Sequence, residues 1–127
     1  MSFNASAVLI VDDSEGVCMA AAMMLEEDGF VVRTCHTLKE GRRLALDGDF
    51  RVILIDVLLG MDSGVELAQE LVESNIDAKI ILSSGLSDLG DELAAFPDLQ
   101  ELPILLKPFG RADLLSCVRK VINEAAA

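Results

Sequence analysis

Four short apolar runs in this chain each end on residues that could do chemistry. Val8-Leu9-Ile10-Val11 is followed by Asp12 and Asp13, Val52-Ile53-Leu54-Ile55 by Asp56, Ile80-Ile81-Leu82 by Ser83 and Ser84, and Ile104-Leu105-Leu106 by Lys107. Three carboxylates at close quarters repel one another and raise each other's pKa unless a cation sits among them. An oxygen-rich site with room for water suits Mg²⁺, which keeps several waters and takes one or two protein carboxylates directly. A lysine and a hydroxyl aimed at the same point supply donors for the equatorial oxygens of a phosphoryl group. The chemistry favoured is phosphoryl transfer onto a carboxylate, which is ionised at neutral pH and needs no general base to attack phosphorus. The single histidine, His36, is therefore not required, and it follows the second strand on the side away from this constellation.

Each residue also has an ordinary account. Asp12-Asp13 reads alone as an N-cap cluster favoured by the helix dipole. Asp56 reads as a solvated loop residue, Ser84 as a helix cap and Lys107-Pro108 as a strand end. Their joint placement, each after a separate apolar run, is what those accounts leave unexplained.

The elements that must position them alternate between strand and helix. Continuous apolar runs predict strands buried on both faces at Ala7–Val11, Arg51–Ile55, Lys79–Ser83 and Pro103–Leu106, with a further strand at Val31–Cys35. Helices are expected from about Ser14 to Asp28, closed by Gly29, and from Thr37 to about Leu46, where Glu40 completes a capping box. Others are expected over Val65–Glu73 and over Arg111–Glu124, the last with Leu114, Val118, Val121 and Ile122 on one face. Leu86–Phe96 is acidic, contains Gly90 and ends before Pro97, so its helix should be short and weak. Met19, Met23 and Met24 read as helix packing, and Glu26-Glu27-Asp28 as a solvated helix end. Repeated strand–helix units imply an α/β fold, a doubly wound parallel sheet with right-handed crossovers, and ligands beyond the C-terminal strand ends.

The 127 residues fit a single domain, 1–127, and 10 Lys plus Arg against 22 Asp plus Glu leave a net charge of −12. Such a chain is repelled by phosphate backbones and anionic lipid, so direct nucleic-acid binding and membrane insertion are not expected. No apolar run reaches the length of a membrane span, and Met1-Ser2-Phe3-Asn4 has no signal-peptide character. The 3 cysteines, Cys18, Cys35 and Cys117, are widely spaced and read as reduced thiols of a cytoplasmic protein. Neither GxxxxGK nor GxGxxG occurs, which excludes P-loop and dinucleotide sites.

Over nearly its whole length the sequence resembles the receiver domain of two-component response regulators. The resemblance lies in Val8-Leu9-Ile10-Val11-Asp12-Asp13, Val52-Ile53-Leu54-Ile55-Asp56, Gly64 eight residues after Asp56, Ser84-Gly85 and Lys107-Pro108-Phe109. It implies a (βα)₅ flavodoxin-like fold with strand order 2-1-3-4-5. It further implies a signalling switch, not a metabolic enzyme, that catalyses its own phosphorylation and dephosphorylation. The phosphoryl group would pass from the phosphohistidine of a histidine kinase or histidine phosphotransfer protein onto Asp56. By position, Asp13, Asp56 and the backbone carbonyl of Leu58 should ligate Mg²⁺, with Asp12 acting through water. Ser84 takes the switch hydroxyl place, and Lys107 should pair with Asp56 before phosphorylation and with the phosphoryl oxygens afterwards. The resemblance implies a downstream protein partner that the sequence does not name, and it allows a dimer through the face formed by the fourth and fifth strand–helix elements.

Three departures bear on this reading. Ile104 stands three residues before Lys107, where the family often has an aromatic ring, and the chain has no tyrosine. Gly60 stands where proline is frequent, so a looser loop is expected after Asp56. Leu58 and Leu86 flank the phosphoryl position and cannot orient a hydrolytic water, which points to slow self-dephosphorylation. The missing aromatic keeps alive a receiver-like protein-binding module that acts without phosphorylation. A small phosphatase using Asp56 as nucleophile would need a second acid and a substrate cap, and neither is visible.

Overall fold

The computed structural model describes residues 7–85 and 93–126. Along the chain run β1 (Ala7–Val11), α1 (Glu15–Glu27), β2 (Val31–Cys35), α2 (Leu38–Asp47), β3 (Val52–Asp56), β4 (Leu58–Leu59), β5 (Asp62–Ser63), α3 (Gly64–Glu73), β6 (Lys79–Ser84), β7 (Ile104–Leu106) and α4 (Arg111–Ala126). A 3₁₀ turn at Pro97–Leu99 precedes β7. Five strands form one parallel sheet in the order β2-β1-β3-β6-β7, while β4 and β5 pair only with each other. With that hairpin set aside, the sheet has the expected order 2-1-3-4-5.

Period-two alternation along the central strands explains the doubly wound packing. Leu9, Val11, Ile53 and Ile55 face one way and join Leu44, Leu67 and Leu71 of α2 and α3. Val8, Ile10, Val52 and Leu54 face the other way and join Cys18, Leu25, Leu114 and Val118 of α1 and α4. Each fully buried Leu or Ile contributes about 1.5–3 kcal/mol of transfer free energy, so this two-sided core fixes where the strand ends lie.

Helix starts are set by hydroxyl caps. Ser14 Oγ accepts from the N–H of Val17 at 3.2 Å, Thr37 Oγ1 from Glu40 at 3.1 Å, and Ser63 Oγ from Glu66 at 3.4 Å. The Thr37 cap is the one read from the sequence.

Several expectations are corrected. Asp56 and Ser84 are not beyond their strands but are the last residues of β3 and β6. The segment after Asp56 is not an open loop, because Leu58 pairs antiparallel with Ser63 and Leu59 with Asp62. Met19 and Met23 are not core residues: they are 67% and 59% exposed, since Cys18, Ala21 and Leu25 already supply the buried stripe of α1. The acidic end of α1 is not merely solvated, because Glu27 pairs with Arg111 and Asp28 with Arg119, fastening α1 to α4. The expected helix at Leu86–Phe96 lies largely outside the described residues; within them Leu93 is helical and buried.

The cysteines are free, with Cys18 and Cys35 buried and Cys117 half-buried. Burial pushes Cys18 up to about 11 and Cys35 up to about 12, and it raises Cys117 as well. All three remain thiols at neutral pH. Among the described residues, no helix is long and apolar enough to cross a membrane.

Candidate functional site

Parallel strands bring their C-terminal ends to one edge, and the residues at those ends converge there. Asp12 follows β1 and is 2% exposed, Asp56 closes β3 at 6%, and Asp13 lies exposed between β1 and α1. Each of the three offers a carboxylate oxygen within 4.8 Å of the others. Lys107, which follows β7, places Nζ 2.7 Å from Asp12 Oδ2 and 3.0 Å from Asp56 Oδ2. Three negative charges against one positive leave a formal excess of two negative charges, in a pocket whose two inner acids are shielded from water.

Backbone N–H groups hold three of the four remaining oxygens. Ser14 donates to Asp12 Oδ1 at 2.9 Å, Leu58 to Asp56 Oδ1 at 3.2 Å, and Gly60 to Asp13 Oδ2 at 3.0 Å. Burial raises the pKa of Asp56 and the charge of Asp12 adds to it, outweighing the hydrogen bonds from Lys107 and Leu58. Burial disfavours the Lys107 ammonium, yet its hydrogen bonds to Asp12 and Asp56 prevail and raise its pKa.

Ser83 and Ser84 are both buried at the end of β6. Ser83 stands opposite Asp56 in the ladder, and Ser84 stands opposite Leu106. The carbonyl of Ser84 accepts from the N–H of Lys107 at 2.8 Å, which ties the lysine backbone to the end of β6. Asp12, Asp13, Asp56, Ser84 and Lys107 are thus at one edge of the sheet, while Leu86 lies outside the described residues. Ile104 is 39% exposed on the outer strand.

Two glycines set the approach of the loop. Gly60 turns the hairpin with φ +64°, a left-handed conformation that proline cannot adopt. At Gly64 an added Cβ would lie 1.8 Å from the Asp56 carbonyl oxygen, so only glycine lets α3 begin directly on the backbone of Asp56. Sequence reasoning missed the hairpin, because two-residue strands carry no periodicity. It also set aside His36, whose Nδ1 lies 3.0 Å from the backbone carbonyl of Asp12. Such a contact with main chain leaves no pattern in side-chain types.

The donor set fits a hard divalent cation. Carboxylates and carbonyls suit Mg²⁺, and one lysine leaves the acids incompletely balanced.

Fold and pocket together define a flavodoxin-like α/β domain whose acidic, lysine-braced site lies across the carboxyl ends of its strands. The chain belongs to the response regulator receiver domain family, whose model matches residues 8–119. The transcriptional regulatory protein CusR of Escherichia coli (strain K12) is 30% identical over 120 residues, covering 94% of this chain and 52% of that protein. The chain spans about half the length of the curated relatives it matches. The CheY-like response regulator receiver domain protein from Methanospirillum hungatei JF-1 superposes with a TM-score of 0.86 at 24% identity, covering 95% of this chain and 96% of that one. A response regulator protein from Burkholderia pseudomallei, solved with a phosphorylated aspartic acid, calcium ion and citrate, gives a TM-score of 0.79 at 28% identity, covering 95% and 71%.

Proposed function

We propose that residues 1–127 form one phosphoacceptor receiver domain of a two-component or phosphorelay system, acting in the cytoplasm. The observation that carries this reading is the buried Asp56 carboxylate held between a second acid and Lys107 at 3.0 Å. A phosphorylated aspartic acid and a divalent ion in the Burkholderia relative support it.

Asp13, Asp56 and the Leu58 carbonyl would hold Mg²⁺ directly and Asp12 through water. The ion supplies charge compensation for the phosphoryl oxygens. An oxygen of Asp56 attacks the phosphorus of a phosphohistidine on a histidine kinase or histidine phosphotransfer protein. The P–O bond forms as the P–N bond breaks, and the imidazole leaves with the bonding pair. Lys107 exchanges its contact with Asp56 for one with a phosphoryl oxygen, and the Ser84 hydroxyl donates to another. Loss of the Lys107–Asp56 pair and capture of Ser84 alter the ends of β6 and β7, and with them the face around Ile104 and α4 offered to a protein partner or a second copy.

The test is intact-protein mass after incubation with acetyl phosphate, with and without Mg²⁺, beside Asp56→Asn. A single phosphoryl adduct that needs Mg²⁺ and is absent from the variant is expected. Folded, Mg²⁺-bound protein with no adduct would favour a binding module that works without phosphorylation.

Leu58 bears on the lifetime of the adduct. Its N–H donates to Asp56 Oδ1 at 3.2 Å, and its side chain is 55% exposed and apolar, with no group to orient water. Leu58→Asn should shorten the phosphoryl half-life roughly tenfold, about 1.4 kcal/mol off the hydrolytic barrier. An unchanged decay of the adduct mass over time would rule out this role. Leu86→Glu is expected to act in the same direction, at a position outside the described residues.

A further inference from the structure

Asp12 is held from several sides, and His36 and Cys18 approach its backbone carbonyl, not its carboxylate. Its N–H donates to the carbonyl of Cys35 at 3.1 Å. Its own carbonyl oxygen lies 3.0 Å from His36 Nδ1 and 3.4 Å from Cys18 Sγ, and these two atoms are 3.7 Å apart. A carbonyl oxygen only accepts, so a hydrogen bond from His36 requires the ring hydrogen on Nδ1, and one from Cys18 requires the thiol.

We propose that His36, together with Cys18, is a positioning residue for the metal-holding acids, locking the peptide plane that joins Asp12 to Asp13. That plane is rigid, so a fixed Asp12 carbonyl also fixes the nitrogen of Asp13 and the direction in which Asp13 leaves the strand. His36 directly follows Cys35, so the end of β2 stitches Asp12 through both its N–H and its C=O. Removing a donor leaves a buried carbonyl short of a partner. The peptide then turns to recover one and carries the Asp13 carboxylate away from Asp12 and Asp56. The inference rests on the reading of Asp12, Asp13 and Asp56 as the Mg²⁺ site.

The test is Mg²⁺ titration by calorimetry on the full chain and four variants, with the fold of each checked by thermal unfolding in EDTA. His36→Leu and Cys18→Val remove the donors. His36→Asn and Cys18→Ser keep an N–H or O–H in nearly the same place. Mg²⁺ affinity should fall roughly tenfold in His36→Leu, the scale of lost outer-shell support. It should fall less in Cys18→Val and stay close to wild type in the Asn and Ser variants. Should His36→Leu fail to fold, the two Cys18 variants decide the matter. Affinities equal in all folded variants, or following unfolding temperature and not the presence of a donor, would overturn the proposal. Absence of Mg²⁺ binding by the unsubstituted chain would instead remove the metal reading on which it stands.

Discussion

Replacing Asp56 by asparagine is expected to raise the unfolding temperature in metal-free buffer while abolishing phosphorylation. Asp56 is 6% exposed, and burial together with the charge of Asp12 lifts its pKa when folded. The native state therefore binds more protons than the unfolded chain between the ordinary carboxylate range and the raised value. Stability falls as pH rises through that window, so above it the buried charge of Asp56 is a standing destabilisation. Asparagine removes the charge and leaves Lys107 paired with Asp12 at 2.7 Å. The gain should be about 1 kcal/mol at pH 7, within the range of relieving a functional site. That is roughly 3–5 °C in a domain of this size, and it should fade as pH falls through that window and be gone below about pH 4, where unfolded carboxylates protonate. Saturating Mg²⁺ should reverse the order. At a hundredfold excess over its Kd, a ligand stabilises its binder by about 2.7 kcal/mol, and the variant lacks one of the ligands. Thermal unfolding in EDTA and in Mg²⁺ at two pH values measures all of this. A variant less stable than wild type in EDTA at pH 7 would contradict the account.

Gly64→Ala should be the most destabilising single change near the site. The added methyl would lie 1.8 Å from the Asp56 carbonyl oxygen and 2.8 Å from its carbon, both main chain, with Ile55 Cγ2 at 3.0 Å. No side-chain rotation relieves a clash with backbone, so α3 must shift or the end of β3 must bend. Overpacking costs about 1–3 kcal/mol where side chains can give way, and here about 3 kcal/mol or more is expected. The hydrogen bond from Gly64 N–H to the Val57 carbonyl, 2.8 Å, would go with it. Because the displaced carbonyl belongs to Asp56, the adduct yield should drop even at temperatures where the variant is folded. Urea unfolding compared with wild type measures the loss, and a difference below about 0.5 kcal/mol, the usual size of a neutral surface change, would show that the clash is absorbed.

What the sequence disclosed, and what it hid, follows from the range over which each signal acts. Val8-Leu9-Ile10-Val11 and Val52-Ile53-Leu54-Ile55 are legible as central strands because burial on both faces demands an unbroken apolar run. Thr37 is legible as a cap because Glu40, whose N–H it receives, is three residues away. Once the strands are placed, parallel topology brings Asp12, Asp13, Asp56, Ser84 and Lys107 to one edge. The role of His36 was not legible, because it depends on register between β1 and β2 and ends on a backbone oxygen. Nor were the pairs of Glu27 with Arg111 and Asp28 with Arg119, since the partners lie on helices at opposite ends of the chain. Met19 and Met23 misled because methionine on a helix signals burial only on average.

The strand that delivers Lys107 has only three residues, Ile104–Leu106, and it pairs on one side alone, with β6. A short edge strand is where a sheet opens most easily. An opening there would carry Lys107 away from Asp12 and Asp56 and leave two buried negative charges facing each other, so the ion pairs oppose it. Neutralising the acids in another way, by a cation or by redirecting the lysine to a phosphoryl oxygen, loosens that hold. The rate at which the amides of Ile104, Leu105 and Leu106 exchange hydrogen with solvent is therefore a readout of the charge in the pocket, in a protein with no Trp or Tyr to report it by fluorescence.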